Sequence, residues 1–327
     1  MDGLYSPSST LLISTAFTTA YVSSIYLFPA SRVSSARSRP IARSPPTSST
    51  GSTHALIPPT AIPRDRNSPS VIRARLLAVT ISSSLACLSI SSLLQRYPPS
   101  LVHPPASTLL GLDLPSSFSK LLNLIAYPLG LTASLFLGSF YVAFLDGSLW
   151  PGQRAFRWGV LRDQFWSLQG IRNYVVGPWT EELVFRSAII SISALGGWSK
   201  KQLVFLTPLY FGIAHVHHAY EVYIRHGRTK QALVNGVLGS TFQFAYTTLF
   251  GWYAAFLFLR TGSIIPPILV HTFCNWWGLP PLVGALRVYP ERKIPIIASY
   301  LVGIVTFSYG LFRWTDPRLF GGSGYWN

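Results

Sequence analysis

The chain has 327 residues, of which 49% are hydrophobic and 11% are charged, and its formal net charge is +16. This composition excludes an ordinary soluble domain, in which about a quarter of the residues are charged. Nucleic-acid binding is not the explanation of the positive charge, because the Lys and Arg residues fall in the loops between long apolar segments.

These apolar segments recur along the chain, and each is bounded by turn residues, Pro or charges. A helix needs roughly 20 residues to cross about 30 Å of hydrocarbon. The sequence therefore predicts an all-α fold, a polytopic membrane helix bundle of about eight transmembrane helices around a polar cavity inside the membrane. In chain order, the predicted spans are 10–30, 76–94, 121–145, 176–195, 203–218, 232–259, 264–282 and 294–313.

The Lys and Arg residues are divided unevenly between the two predicted sides. The loops on one side carry 18 of them and the loops on the other side carry 7. Because cytosolic loops of membrane proteins are enriched in Lys and Arg, the first set is predicted to be cytosolic, with both termini in the lumen. The polar cavity is then predicted to open to the cytosol.

Residues 31–75 form a Ser-, Pro- and Arg-rich stretch that is almost free of acids and aromatic residues. Such a stretch cannot bury enough apolar surface to fold, so it is predicted to be a disordered cytosolic loop. An organellar transit peptide has a similar composition, but the preceding apolar run lacks amphipathic spacing. The predicted regions are a first transmembrane segment at 1–30, the loop at 31–75 and a membrane-embedded domain at 76–327 with its signatures within 171–280.

Three of the predicted spans contain ionisable or amide side chains. A charged group near the centre of a membrane helix costs roughly 2.5 to 3.5 kcal/mol on insertion scales, so such groups are expected to share a polar cavity. We interpret that cavity as an active site. The groups are Glu181, Glu182 and Arg186 in one span, His215 in another, and His271 with Asn275 in a third.

Helix geometry separates the two glutamates, because neighbouring residues point about 100° apart. Glu182 and Arg186 are four residues apart with the acid first, which favours an ion pair within the helix. Glu181 is then the unpaired carboxylate and the candidate general base. The alternative is a purely structural cluster in which Glu181, Glu182 and Arg186 clamp helices together.

Two other chemistries are open to these residues. His215, His217 and His218 suggest a metal, but H-E-x-x-H and the related zinc spacings are missing, so no metal or cofactor is predicted. Cys274 lies next to Asn275, and a Cys/His nucleophile is conceivable. However, helical rotation turns Cys274 away from the face that His271 and Asn275 share, so a packing role is predicted for the thiol.

The segments RNYVVGPWTEELVFR, FGIAHVHHAYE and HTFCNWWGLP closely resemble the E-E-x-x-x-R, F-x-x-x-H and H-x-x-x-N signatures of the type II CAAX prenyl endopeptidases. The resemblance covers roughly residues 120–310. It implies a metal-independent, glutamate-type protease of the endoplasmic reticulum membrane. Its partners would be membrane lipid and farnesylated or geranylgeranylated CAAX proteins, of the small GTPase or lipopeptide type, from which it removes the last three residues.

The resemblance also implies roles for individual residues. Glu181 with His215 would activate the attacking water, and His271 and Asn275 would stabilise the oxyanion. Glu182, Arg186 and Phe211 would support the site. Two alternatives remain: a non-catalytic membrane scaffold or binding protein, and a transporter with a proton-relay carboxylate.

Overall fold

The computed structural model describes residues 4–33, 65–97 and 104–326. Within these ranges every regular element is a helix, so the predicted all-α fold is confirmed. Most of the predicted loop at 31–75 lies outside the described residues. Its last part does not remain a loop, because the second helix begins at Pro69 rather than at 76, and Val71 and Ile72 are fully buried.

The first helices show how local sequence sets their ends. The hydroxyl of Ser6 accepts a hydrogen bond from the backbone N–H of Ser9, and Pro7 occupies the first helical position, where its missing N–H costs nothing. The helices up to residue 166 are α1 (Pro7–Leu27), α2 (Pro69–Leu94), α3 (Ala106–Leu109), α4 (Phe118–Leu135), α5 (Leu137–Leu145) and α6 (Trp158–Trp166).

Residues 168–195 form one continuous helical stretch, which we call α7. It contains two π-helical segments, Ile171–Val176 and Leu183–Ala188, on either side of the α-helical Gly177–Glu182. The helices that follow are α8 (Lys200–Phe205), α9 (Thr207–Ala214), α10 (His217–Arg225), α11 (Lys230–Thr261), α12 (Ile265–Trp277), α13 (Leu282–Val288) and α14 (Lys293–Arg313). Short 3-10 turns lie at Pro29–Ser31, Pro290–Arg292 and Pro317–Phe320.

Several helices are long and apolar enough to cross a membrane, which confirms a multi-pass bundle. Among the described residues these are α1, α2, α11 and the stretch Pro290–Arg313 that contains α14, and the pair α4 and α5, bent by 67°, is a fifth candidate. The predicted span at 203–218 is divided among α8, α9 and α10, with Pro208 in the first turn of α9. The span at 264–282 contains only the 13-residue α12. The total of eight transmembrane spans remains a prediction from the sequence.

The C-terminal half of α7 forms the centre of the bundle. Every residue from Val184 to Leu195 is buried. Helices α1, α2, α9 and α11 pack around the second π segment and thereby fix the position of the glutamates that precede it. Large apolar side chains on the outer faces of α2 and α14 are exposed, such as Leu77 and Val305, as expected for surfaces that face lipid.

Helix α14 packs closely against α4 and α5 through a row of residues spaced seven apart. Its buried residues are Ile296, Gly303 and Gly310. A Cβ atom added at Gly303 would lie 2.4 Å from the backbone oxygen of Ser134, so only glycine permits this approach. Small residues have the same role at many membrane helix interfaces, where close contact supplies most of the attraction.

We expect Gly303→Ala to lower the free energy of unfolding by about 1–3 kcal/mol, because the methyl group forces α14 away from a backbone that cannot yield. Gly239→Ala in α11 is the matched control, since nothing lies within 4 Å of its added Cβ. Thermal unfolding of the purified protein in detergent measures both. A Gly303→Ala protein that unfolds at or above the wild-type temperature would contradict this packing argument.

Candidate active site

The structure brings all of the predicted site residues to one place. Glu181 and Glu182 lie in α7, between its two π segments. His215 follows the end of α9, and His271 and Asn275 lie one turn apart on α12. A cavity of about 510 Å³ is lined by Glu181, Phe211, His215, His271 and Asn275, together with other residues.

Glu182 makes the most buried contacts of the site. Its Oε2 lies 3.1 Å from Nε of Arg186, as the spacing of four residues predicts, and both side chains are at most 1% exposed. Its Oε1 lies 2.7 Å from Nδ1 of His271, a contact between α7 and α12. This second partner is not predictable from the sequence, because the two residues are 89 positions apart and no local pattern links them.

The guanidinium of Arg186 is held by aromatic rings as well as by the carboxylate. It lies 4.3 Å from the ring centroid of Phe211 and 5.5 Å from that of Phe250. The 3.1 Å contact with Glu182 is an ion pair without hydrogen-bond alignment, since the Arg186 nitrogens have no hydrogen-bond partner among the described residues. Desolvated stacking of this kind contributes about 2 kcal/mol.

Glu181 differs from Glu182 in its exposure. Its side chain is 23% exposed, toward the cavity, and its Oε2 lies 3.6 Å from Nε2 of His271. The imidazole of His271 therefore lies between two carboxylates. The glutamate that can meet water is Glu181, while Glu182 is enclosed by protein.

A backbone contact fixes the orientation of His215. Its Nδ1 lies 2.7 Å from the carbonyl oxygen of Phe211, one turn earlier in α9. Because only an N–H can donate to a carbonyl, this contact assigns the proton to Nδ1 and leaves the lone pair on Nε2. His215 also lines the cavity that Glu181 lines, so Nε2 can accept a hydrogen bond from a water molecule there.

Asn275 is fixed by α7. Its side-chain N–H donates to the backbone oxygen of Asn173 at 2.9 Å, and the hydroxyl of Thr272 donates to the backbone oxygen of Tyr174 at 2.8 Å. Both acceptors belong to the first π segment of α7. A π segment leaves the regular hydrogen-bond pattern, and such segments are frequent at functional sites. The second N–H of the Asn275 amide is left for another acceptor.

The remaining candidates are placed as follows. Cys274 lines the same cavity, so helical rotation does not remove it from the site, but among the described residues no hydrogen bond joins its thiol to a histidine. His217 is bound to the backbone oxygen of Ala214, and His218 lies 3.7 Å from Glu221. In the described ranges no set of three or more His, Cys, Asp or Glu side chains is arranged to hold a metal ion.

Comparisons with known proteins agree with the resemblance seen in the motifs. A family model described as type II CAAX prenyl endopeptidase Rce1-like matches residues 163–277, which include all of the site residues above. CAAX prenyl protease 2 of Homo sapiens is 38% identical over 274 residues, which cover 80% of this chain and 76% of the human protein. Probable CAAX prenyl protease 2 of Schizosaccharomyces pombe is 33% identical over 298 residues, 90% of each chain. No solved structure matches.

The buried pair predicts a large effect on stability. We expect Arg186→Met to lower the free energy of unfolding by about 3–5 kcal/mol, because it leaves the Glu182 carboxylate buried without its cation. The double variant Glu182→Gln with Arg186→Met should recover part of this loss, since no buried charge is then left uncompensated. Thermal unfolding in detergent is the measurement.

The control is the exposed pair of Arg162 and Asp163, which are 2.9 Å apart and 72% and 71% exposed. Arg162→Met should change the free energy of unfolding by less than about 1 kcal/mol. Equal effects of the two Arg→Met substitutions would show that burial of the Glu182 pair is not what stabilises the site.

Proposed function

Because this chain belongs to the type II CAAX prenyl endopeptidase family, we propose that it hydrolyses the peptide bond after the prenylated cysteine of CAAX proteins and releases the C-terminal tripeptide. The observation that carries the proposal is the single cavity lined by Glu181, His215, His271 and Asn275. These four side chains come from three separate parts of the chain, and together they supply a base, an acceptor for water and donors for an oxyanion.

The proposed reaction starts with a water molecule between the carboxylate of Glu181 and Nε2 of His215. Glu181 accepts a proton as the water oxygen attacks the carbonyl carbon of the scissile bond, while His215 orients the water through its lone pair. The C–O bond forms, and the C–N bond breaks when Glu181 returns the proton to the leaving amine. Positioned proton transfer of this kind contributes about 10²- to 10⁴-fold in rate.

The oxyanion of the tetrahedral intermediate needs hydrogen-bond donors to stabilise its negative charge. Asn275 retains one amide N–H after bonding to Asn173, and α12 places His271 one turn away. The ring of His271 contacts Glu182 through Nδ1, and its Nε2, on the side of Glu181, is the nitrogen that would donate to the oxyanion. Each such donor contributes about 3 kcal/mol to transition-state stabilisation.

The membrane arrangement supports a lipidated substrate. The distribution of 18 against 7 basic residues favours a cytosolic opening of the cavity, and we place the protein in the endoplasmic reticulum membrane. Glu181 lies about five residues inside the predicted cytosolic end of its span, or roughly 8 Å at 1.5 Å per residue. A prenyl group in the cytosolic leaflet would hold its peptide near that depth while the isoprenoid stays in lipid.

The base assignment predicts that Glu181→Gln lowers kcat/KM for a prenylated CAAX peptide by at least about 100-fold, because the amide keeps the shape but cannot accept the proton. Purified protein in lipid vesicles and release of the tripeptide provide the measurement. Glu291→Gln, the same change at an exposed position, should leave the rate unchanged. Wild-type cleavage by Glu181→Gln would show that another group is the base.

The same mechanism predicts that a strong chelator does not slow cleavage, since a carboxylate and an imidazole activate the water without a metal ion. The rate of tripeptide release is compared before and after dialysis against EDTA and after treatment with 1,10-phenanthroline. A loss of activity that zinc restores would refute the metal-independent mechanism.

A further inference from the structure

A second cavity connects the candidate active site with a basic wall. It has a volume of about 190 Å³ and shares Glu181, His215 and Asn275 with the larger cavity. Its wall also contains Arg66, Arg75 and Arg172, which the proposed reaction does not use. Arg66 lines both cavities, so it lies at the passage between them.

One of these three arginines is neutralised and two are not. Arg75 lies 2.6 Å from Glu221. Although burial acts to raise it, the pKa of Glu221 is held below its usual range by the neighbouring His218 and Arg75, so this carboxylate is ionised. Within the described ranges, neither Arg66 nor Arg172 forms an ion pair.

Among the described acidic residues, none supplies a counter-charge to Arg66 or Arg172. Of its ten acidic residues, only Asp2 lies outside the described ranges. Asp65, the neighbour of Arg66, uses its carboxylate within its own turn, where it accepts hydrogen bonds from the backbone N–H of Asn67 and the hydroxyl of Ser68. The basic wall therefore keeps a net positive charge beside the site, and an anion is the ligand that complements it.

Arg172 holds the turn that carries Arg66. Its Nη1 donates to the backbone oxygen of Arg66 at 2.8 Å and to the side-chain oxygen of Asn67 at 3.2 Å, and its Nε donates to Asn173. Burial, together with the charges of Arg66 and Arg75, lowers the pKa of Arg172. The side chain of Arg66 makes no hydrogen bond among the described residues, so its guanidinium is available to a ligand.

The length of the substrate tail fits the separation along α7. Arg172 and Glu181 are nine residues apart on one continuous helix, which corresponds to about 13 Å at 1.5 Å per residue. The three residues after the scissile bond span roughly 10 Å when extended. The two lengths differ by about one residue, so a guanidinium near Arg172 is within reach of the last residue of the substrate.

We propose that Arg66, positioned by Arg172, binds the free α-carboxylate of the substrate's last residue. The inference rests on the proposed function and adds the group that recognises the end of the substrate. A planar guanidinium binds a carboxylate through two parallel hydrogen bonds, which fix direction as well as position. The length of α7 between Arg172, which holds the turn of Arg66, and Glu181 then measures about three residues from the chain end and selects the bond that is cut.

The experiment compares two prenylated CAAX peptides that differ only at the C-terminus, one with a free carboxylate and one with a carboxamide. We expect the wild-type protein to cleave the acid with a kcat/KM at least roughly tenfold above that of the amide, the size of a charge-assisted hydrogen bond. Arg66→Gln should lower the rate for the acid to that for the amide and leave the amide rate unchanged. Arg66→Lys should restore part of the preference.

The amide peptide serves as the folding control, because a damaged protein would lose both rates. Arg73→Gln is the matched substitution, since Arg73 is an exposed arginine near the same end of α2 and lines neither cavity. The Arg73→Gln protein should keep the wild-type preference for the acid peptide over the amide peptide. Vesicles of neutral lipid and of anionic lipid distinguish substrate binding from binding of a lipid headgroup.

Equal cleavage of acid and amide by the wild-type protein would overturn the inference and leave the proposed function intact. So would an Arg66→Gln defect that is the same for both peptides, or one that appears only in anionic vesicles, which would assign Arg66 to lipid. If the wild-type protein cleaves neither peptide, the proposed function fails and this inference fails with it.

Discussion

The buried carboxylate of Glu182 is the group on which the arrangement of the site depends. Its side chain is fully enclosed, and it contacts both the guanidinium of Arg186 and the imidazole of His271. Separating α7 from α12 would leave the ion pair with Arg186 intact but would break the buried contact with His271, and leaving a buried polar group without its partner costs free energy. Because Glu182 and Arg186 both belong to α7 and His271 belongs to α12, the carboxylate fixes α12 against α7 through His271. The rings of Phe211 and Phe250 complete the enclosure.

This constraint explains why two neighbouring glutamates have different environments. Glu182 faces protein on all sides, whereas Glu181 borders the cavity. The two π segments of α7 flank the short α-helical segment that ends with these glutamates, and the first supplies the backbone oxygens that hold Asn275 and Thr272. One helix therefore positions the proposed base directly and the proposed oxyanion donor through α12. His215 is oriented separately, by the carbonyl of Phe211, so its lone pair does not depend on the ion pair.

Features that depend on neighbouring residues along the chain could be predicted from the sequence. Apolar length predicted the helical membrane fold, and the spacing of four residues predicted the pair of Glu182 and Arg186. Contacts between distant segments were not predictable in this way. The partner of Glu182 on α12 is one example, and the return of Arg66 from the turn before α2 to the cavity that Glu181 lines is another. The bend between α4 and α5 is a third, because the space beside Gly138 is occupied by the ring of Tyr300, far along the chain.

The distribution of charge also bears on how the products leave. The carboxylates of Glu181 and Glu182 lie with Arg186 and His271 deep in the site, while the excess positive charge lies in the wall formed by Arg66 and Arg172. In the proposed reaction the substrate brings one carboxylate to that wall, and hydrolysis creates a second one on the prenylated cysteine, beside Glu181. Once Glu181 has returned its proton, two carboxylates face each other across the cavity at low dielectric, and their repulsion favours departure of the lipidated product. The tripeptide product carries a new ammonium group as well as its own carboxylate. In this proposal the positive wall orients the substrate, and the negative charge of Glu181 favours release of the lipidated product.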